Sequence, residues 1–150
     1  MSKISNRIRM RQVLKILPAP VRKQIKTAVL SSAEEMADTM KALAKVKTGE
    51  LRQSIEVTSG DENVALYNRV KSSRIEKDPE LAAIIHSDSP HARDVEFGTA
   101  PHVNAGEFRG TQNPGAHAQP FFFPAYRARK RQAQAKINRA ARQGIKDGLK

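Results

Sequence analysis

PVRKQIKTAVLSSAEEMADTMKALAKVKTGELRQSIEV, residues 20–57, decides the fold, because its apolar period changes once, at Gly49. Before that glycine, Val21, Ile25, Ala28, Val29, Ala33, Met36, Ala37, Met40, Leu43 and Ala44 recur in steps of three and four. Such spacing lines one face of a helix more than twenty residues long. Pro20 suits a first helical turn, and Gly49 suits a stop, since glycine readily takes positive φ at a helix end. Beyond it, Ile55 and Val57, then Val64, Leu66 and Val70, alternate as in extended chain. Ser59-Gly60-Asp61-Glu62-Asn63 reads as the turn between two strands. A long helix followed by short alternating strands predicts an α+β domain, with the helix packed on a small, mainly antiparallel sheet.

Outward from this segment, Leu81–His86 reads as a third and more buried strand, after a polar loop at 71–80 that contains Pro79. Ser89-Pro90 opens a short helix through Val95 and Phe97, with Ser89 as cap. Residues 98–119 hold four Gly and two Pro and no periodicity, so they read as a long functional loop. A final helix from about Pro124 to residue 150 places Tyr126, Ala133, Ile137, Ala141, Ile145 and Leu149 on one face. Alanine buries little area, so this helix is expected to be loosely held in an isolated subunit. Upstream, Ile4, Ile8, Val13, Leu14 and Leu17 make a rough helical stripe over residues 1–17, ended by Pro18. The 150 residues have room for one core, and the chain reads as a single domain, 1–150.

Charge narrows the range of partners. Residues 1–33 carry +8, residues 34–126 carry −4 and residues 127–150 carry +8, within a net charge of +12. Cationic ends on a near-neutral centre call for an anionic partner, nucleic acid or an acidic protein face. Arg127, Arg129, Lys130 and Arg131 crowd one turn of the last helix, with no acid close to them along the chain. The absence of Cys excludes disulfides, thiol catalysis and cysteine-held metals. No apolar run approaches the ~20 residues that span a bilayer, and none follows the basic start as a secretion signal would.

No catalytic constellation emerges. His86, His91, His102 and His117 lack the i, i+4 spacing of a helical zinc pair, although loops could bring His91, His102 and Glu96 together. Asp94 and Glu96 point apart on a helix or a strand, a poor arrangement for paired acid–base work. Phosphate-cradling glycine loops and nucleophile elbows are missing. No enzyme activity, cofactor or metal is expected. Aromatic residues are not interleaved with the basic ones, so nucleic-acid contact would be through phosphates and non-specific.

Three stretches remain. They are Thr48-Gly49-Glu50-Leu51-Arg52-Gln53-Ser54-Ile55, Glu96-Phe97-Gly98-Thr99 and Gln119-Pro120-Phe121-Phe122-Phe123-Pro124-Ala125. Read as T-G-x-L-R-x-S-I, E-x-G-T and Q-P-F-x-x-P-A in this order, they resemble the tail-component family of long-tailed bacteriophages, the neck or tail-completion proteins of the head–tail junction. The basic first seventeen residues and the tail beyond Arg131 lie outside the resemblance. Local chemistry assigns the same residues plain duties: Thr48 and Gly49 as cap and turn, Leu51 and Ile55 in the core, Gly98 at positive φ, and Phe121 and Phe123 as core plugs with Phe122 turned away.

The resemblance implies a structural virion protein, made in the host cytoplasm, that forms a ring in the neck and joins the DNA-filled head to the tail. It implies sixfold symmetry, neighbouring connector or head-completion proteins, tail-tube or tail-terminator proteins, and proximity to packaged DNA. Arg127, Arg129, Lys130 and Arg131 are then contacts to a partner. The alternatives are a basic nucleic-acid-binding module and a small hydrolase built on the loop histidines.

Overall fold

A computed structural model describes residues 17–60 and 79–148. Residues 1–16 of the helix expected at 1–17, the strand at 64–70, the turn residues 61–63, the loop residues 71–78 and Leu149 lie outside the described residues.

Helix α1, Ala19–Leu43, runs 25 residues with proline in its first turn, as its apolar period requires. Val21, Ile25, Ala28, Ala33, Met36, Ala37 and Met40 are buried along one face, and Ala44 continues that face just past the helix. Ser32 is buried among them, and its hydroxyl donates to Ala28 O at 2.7 Å, which satisfies it within the helix. Gly49 turns the chain at φ 88°, and the single turn α2, Glu50–Gln53, leads into strand β1, Ile55–Ser59.

Strand β2, Ala83–Ser87, pairs antiparallel with β1, Ile55 opposite Ser87 and Ser59 opposite Ala83. It starts two residues later than the sequence suggests, because Pro79–Leu81 form a 3₁₀ turn. Every residue of β2 is half-buried, so it is not the more buried strand that its apolar run suggests.

Helix α3, Ala92–Phe97, follows. The segment expected as a structureless loop is instead an arm. Strands β3, His102–Val103, and β4, Gln112–Asn113, pair antiparallel, a 3₁₀ turn at Gly106–Phe108 forms the tip, and Thr99 bridges Ala116 at the root. Backbone pairing, invisible to a search for apolar period, gives this polar segment its order.

Helix α4, Phe122–Gly148, starts two residues earlier than expected and runs antiparallel to α1. Arg129 meets Thr39, Lys136 meets Ser31 and Glu35, and Gly144 lies against Val21 and Gln24. Its inner face agrees with the expected one at Ala133 and at the half-buried Ile137 and Ala141, but is turned by one position at Tyr126 and Ile145. Ala125, Ala133 and Gly144 are buried, whereas Tyr126 and Ile145 are 40% and 44% exposed. Small residues let the two axes approach. A Cβ on Gly144 would sit 2.8 Å from Gln24 Oε1 and 3.0 Å from Val21 Cγ1. The helix expected to be loosely held is therefore in close contact with α1 along its length. Met36, Ala37, Met40, Ala44, Ile55, Phe121, Ala125 and Ala133 form the central core cluster.

Candidate functional site

The second and third motif stretches meet at one buried carboxylate. Glu96 is 6% exposed, and its side chain faces the start of α4. Oε2 accepts the backbone N–H of Phe121 and that of Phe122, each at 2.8 Å, and Oε1 accepts that of Phe123 at 3.1 Å. A helix leaves its first four N–H groups without internal partners. Here three of them go to Glu96, and the fourth position is Pro124, which has no N–H to satisfy. The negative carboxylate also lies at the positive end of the helix dipole, and both effects compensate for burying its charge.

The surroundings of Glu96 are fixed by backbone. Gln119 N–H donates to Val95 O at 2.8 Å, which ties the third motif directly to α3. Gly98 ends α3 at φ 73°, and a Cβ there would lie 2.6 Å from Ala116 O and 2.8 Å from Ala118 N. Glycine is required twice over, by φ and by the close approach of the returning chain. Thr99 N–H and Ala116 N–H exchange bonds with each other's carbonyls at 2.9 and 3.1 Å, closing the arm just beyond. Glu96, Gly98, Thr99 and Gln119–Pro124 thus form one clamp.

The first motif performs the complementary task at the other helix. An Arg52 guanidinium N–H donates to Ala44 O at 3.3 Å, placing a cation where α1 leaves its carbonyls unpaired. Thr48 Oγ1 accepts Glu50 N–H at 3.4 Å over the Gly49 turn. Ser54 Oγ donates to Leu51 O at 2.8 Å and lies 2.7 Å from Ser87 Oγ, joining the turn to the end of β2. Leu51 packs on the core, and Ile55 is fully buried in it.

The three phenylalanines do not alternate in direction. Because α4 begins at Phe122, they follow a helical turn: Phe121 is 2% exposed, Phe122 half-buried and Phe123 45% exposed. Phe123, expected in the core, is therefore a surface residue, and Phe122, expected to turn away, is half-buried and packs against the core. Its ring lies 6.0 Å from that of Phe97, itself 64% exposed. Edge-on contacts at 5.9 Å to Phe122 and then 6.5 Å to Phe121 continue inward, so an aromatic ladder runs from surface to core.

The basic cluster also divides. Arg129 Nε donates to Thr39 Oγ1 at 2.9 Å and its guanidinium reaches Gln132, so this side chain belongs to the α1–α4 seam. Lys130 lies over the Tyr126 ring at 5.5 Å, while Arg127 and Arg131 are exposed. Further along, Lys136 donates to Ser31 Oγ and Glu35 Oε1, each at 2.6 Å. The Lys136 hydrogen bond and charge hold the Glu35 carboxyl below its ordinary pKa, with Arg129 adding to the effect.

Sequence reasoning missed the Glu96 clamp and the Lys136 bridge. The clamp did leave a signal. A helix that opens on Pro-Phe-Phe-Phe-Pro has no Ser, Thr, Asp or Asn as its own cap, so it must import an acceptor.

Among the described residues, no group of three or more His, Asp or Glu is placed to hold a metal ion. His91 stands exposed at the start of α3, and His102 Nδ1 lies 3.0 Å from Ala100 O in the arm. Among the described residues, no helix is long and apolar enough to cross a membrane.

Neither the curated proteins nor the solved structures give a match to this chain. The family model described as "Bacteriophage HK97-gp10, putative tail-component" matches residues 9–98. The match begins within the basic N-terminal segment expected to lie outside it, and ends at Gly98, just past Glu96. The third motif therefore falls beyond the matched span, although Glu96 holds it in place. With 90 of its 150 residues matched, the chain belongs to the HK97 gp10-like tail-component family of bacteriophages.

Proposed function

We propose that this phage tail component acts in the neck, as a ring of identical subunits that joins the DNA-filled head to the tail without any catalytic step. The observation that carries this reading is how the matched motifs use their polar groups. Arg52, Thr48 and Ser54 cap and fasten α1 and the sheet, and Glu96 caps α4. These groups are consumed in building a rigid body, which leaves the arm, the surface aromatics and the cations to meet neighbours. Sixfold symmetry matches that of long phage tails, and a closed ring with head-to-tail interfaces is the usual cyclic solution. The partners above and below are connector or head-completion proteins and tail-tube or tail-terminator proteins, with packaged DNA passing through. Removing the gene from the phage tests this: filled heads and separate tails should accumulate, and supplying the protein should join them. Normal virions without the protein would refute the reading.

One feature favours the second reading, a basic nucleic-acid-binding module. Helix α4 holds eight Lys and Arg against Asp147 alone, and Arg127, Lys130, Arg131, Arg139, Arg142 and Lys146 are exposed with no ion pair among the described residues. Salt-sensitive binding of plain duplex DNA by the isolated protein would support that reading.

A further inference from the structure

The arm ends in a tip that its own subunit leaves uncovered. Phe108 is 69% exposed and Val103 64% exposed. Gly106 and Gly110 flank the tip at φ 72° and 89°, and a Cβ at either would meet nothing within 4 Å. Beside Phe108 stand Glu107 and Arg109, both exposed and without an ion pair among the described residues. The tip thus presents an aromatic ring between an acid and a base.

The body presents the converse. Phe97 and Phe123 form an exposed aromatic pair, backed by Phe122 and Phe121. Asp94 shares the α3 face of Phe97 at a spacing of three, and Arg127 shares the α4 face of Phe123 at a spacing of four. Both charged residues are exposed. The body therefore offers an aromatic platform flanked by a base and an acid.

We propose that the arm tip of one copy docks on the Phe97–Phe123 pair of a second copy, with Glu107 directed to Arg127 and Arg109 to Asp94. The inference rests on the ring reading and names the contact that closes the ring. Tip and platform are different surfaces of the same chain, so each copy gives one and receives one, as a head-to-tail ring requires. An unrelated apolar partner would cover the rings but leave Asp94 and Arg127 unanswered, whereas the arm tip brings a base and an acid beside its ring. Aromatic anchors at the centre with charge pairs at the rim are the usual division of labour in a specific contact.

The chain has no Cys, which makes disulfide trapping free of background. Full-length Phe108→Cys protein is mixed with Phe97→Cys protein and, separately, with Ile145→Cys protein, and each mixture is oxidised. All three positions are exposed, and circular dichroism serves as the control that each variant folds. Trapping of 108 to 97 should run about tenfold faster than 108 to 145, because an interface raises the local concentration of one pair only.

Glu107→Arg in the first partner, or Arg127→Glu in the second, should slow trapping about fivefold, and the two together should restore it. Equal rates to positions 97 and 145, or no restoration by the double exchange, would overturn the contact. If heads and tails still depend on the protein for joining, the ring reading survives that result. Joining that proceeds without the protein refutes the ring reading by itself, whatever the trapping rates.

Discussion

Replacing Glu96 by Ala removes the acceptor of three N–H groups at once, and the cost can be estimated group by group. Phe121 is 2% exposed, so its N–H has no route to water; an orphaned buried donor costs about 1–3 kcal/mol. Phe122 and Phe123 are more open, and their N–H groups can turn to solvent, as in the loss of an ordinary helix cap, about 0.5–2 kcal/mol. The middle of the combined range is about 3 kcal/mol, which for a chain of this size lowers the melting temperature by about 6–12 °C. Glu96→Gln keeps one carbonyl oxygen but turns an NH2 towards N–H donors, and should cost about half as much. Thermal unfolding followed by far-UV circular dichroism reads both values, and amide exchange at Phe121 should accelerate in step. A shift below about 2 °C for Glu96→Ala, with Phe121 still protected, would refute the account of how α4 begins.

The two end members of the phenylalanine run should behave differently. Phe121→Ala should cost about 3–5 kcal/mol in urea unfolding, whereas Phe123→Ala, nearly half exposed, should cost less than about 1.5 kcal/mol. Gly144→Val places methyl groups where Val21 and Gln24 already sit, and should destabilise the α1–α4 seam by about 1–3 kcal/mol, read as a lower melting temperature. Glu35 has a lowered pKa in the folded chain, so its contribution is present above the unfolded carboxyl pKa and is lost as pH falls through the lower folded one. Stability measured across the acid range should therefore lose this component in Lys136→Met, and added salt should shrink it in the parent, since the pair is exposed.

Elements that follow a single period were legible in the sequence, and elements made by distant pairing were not. The buried face of α1 follows the apolar steps from Val21 to Ala44, with Leu43 alone turned out to 51% exposure. β1 was readable because Ile55 and Val57 alternate, and Gly98 because a helix end at positive φ favours glycine. The helix stop expected at Gly49 comes earlier, at Leu43, and Gly49 at φ 88° instead precedes α2. Pro124 suits a first helical turn and so suggests a start there, whereas α4 begins at Phe122. Starting at Phe122 changes the period of the aromatic run from two to 3.6, which moves Phe123 from core to surface. The arm escaped notice because its strands are two residues each and polar. Glu96 stood out as a motif residue, but its partners lie 25 to 27 positions further on, beyond the reach of local pattern.

The clamp at the root of the arm has a consequence for how such proteins diversify. The Val95–Gln119 bond, the Thr99–Ala116 bridge and the three bonds to Glu96 close the hairpin independently of what lies between Thr99 and Ala116. Lengthening a closed loop is cheap, about 0.6 kcal/mol for each doubling. Insertions, deletions and side-chain exchanges at the tip therefore leave the melting behaviour of the body almost untouched while altering what the tip can grip. Selection on compatibility between subunits can then act on the sixteen residues 100–115 without reopening the problem of folding. Relatives that share the body should differ most in arm length and tip chemistry, with the carboxylate and the glycine at the root kept in place.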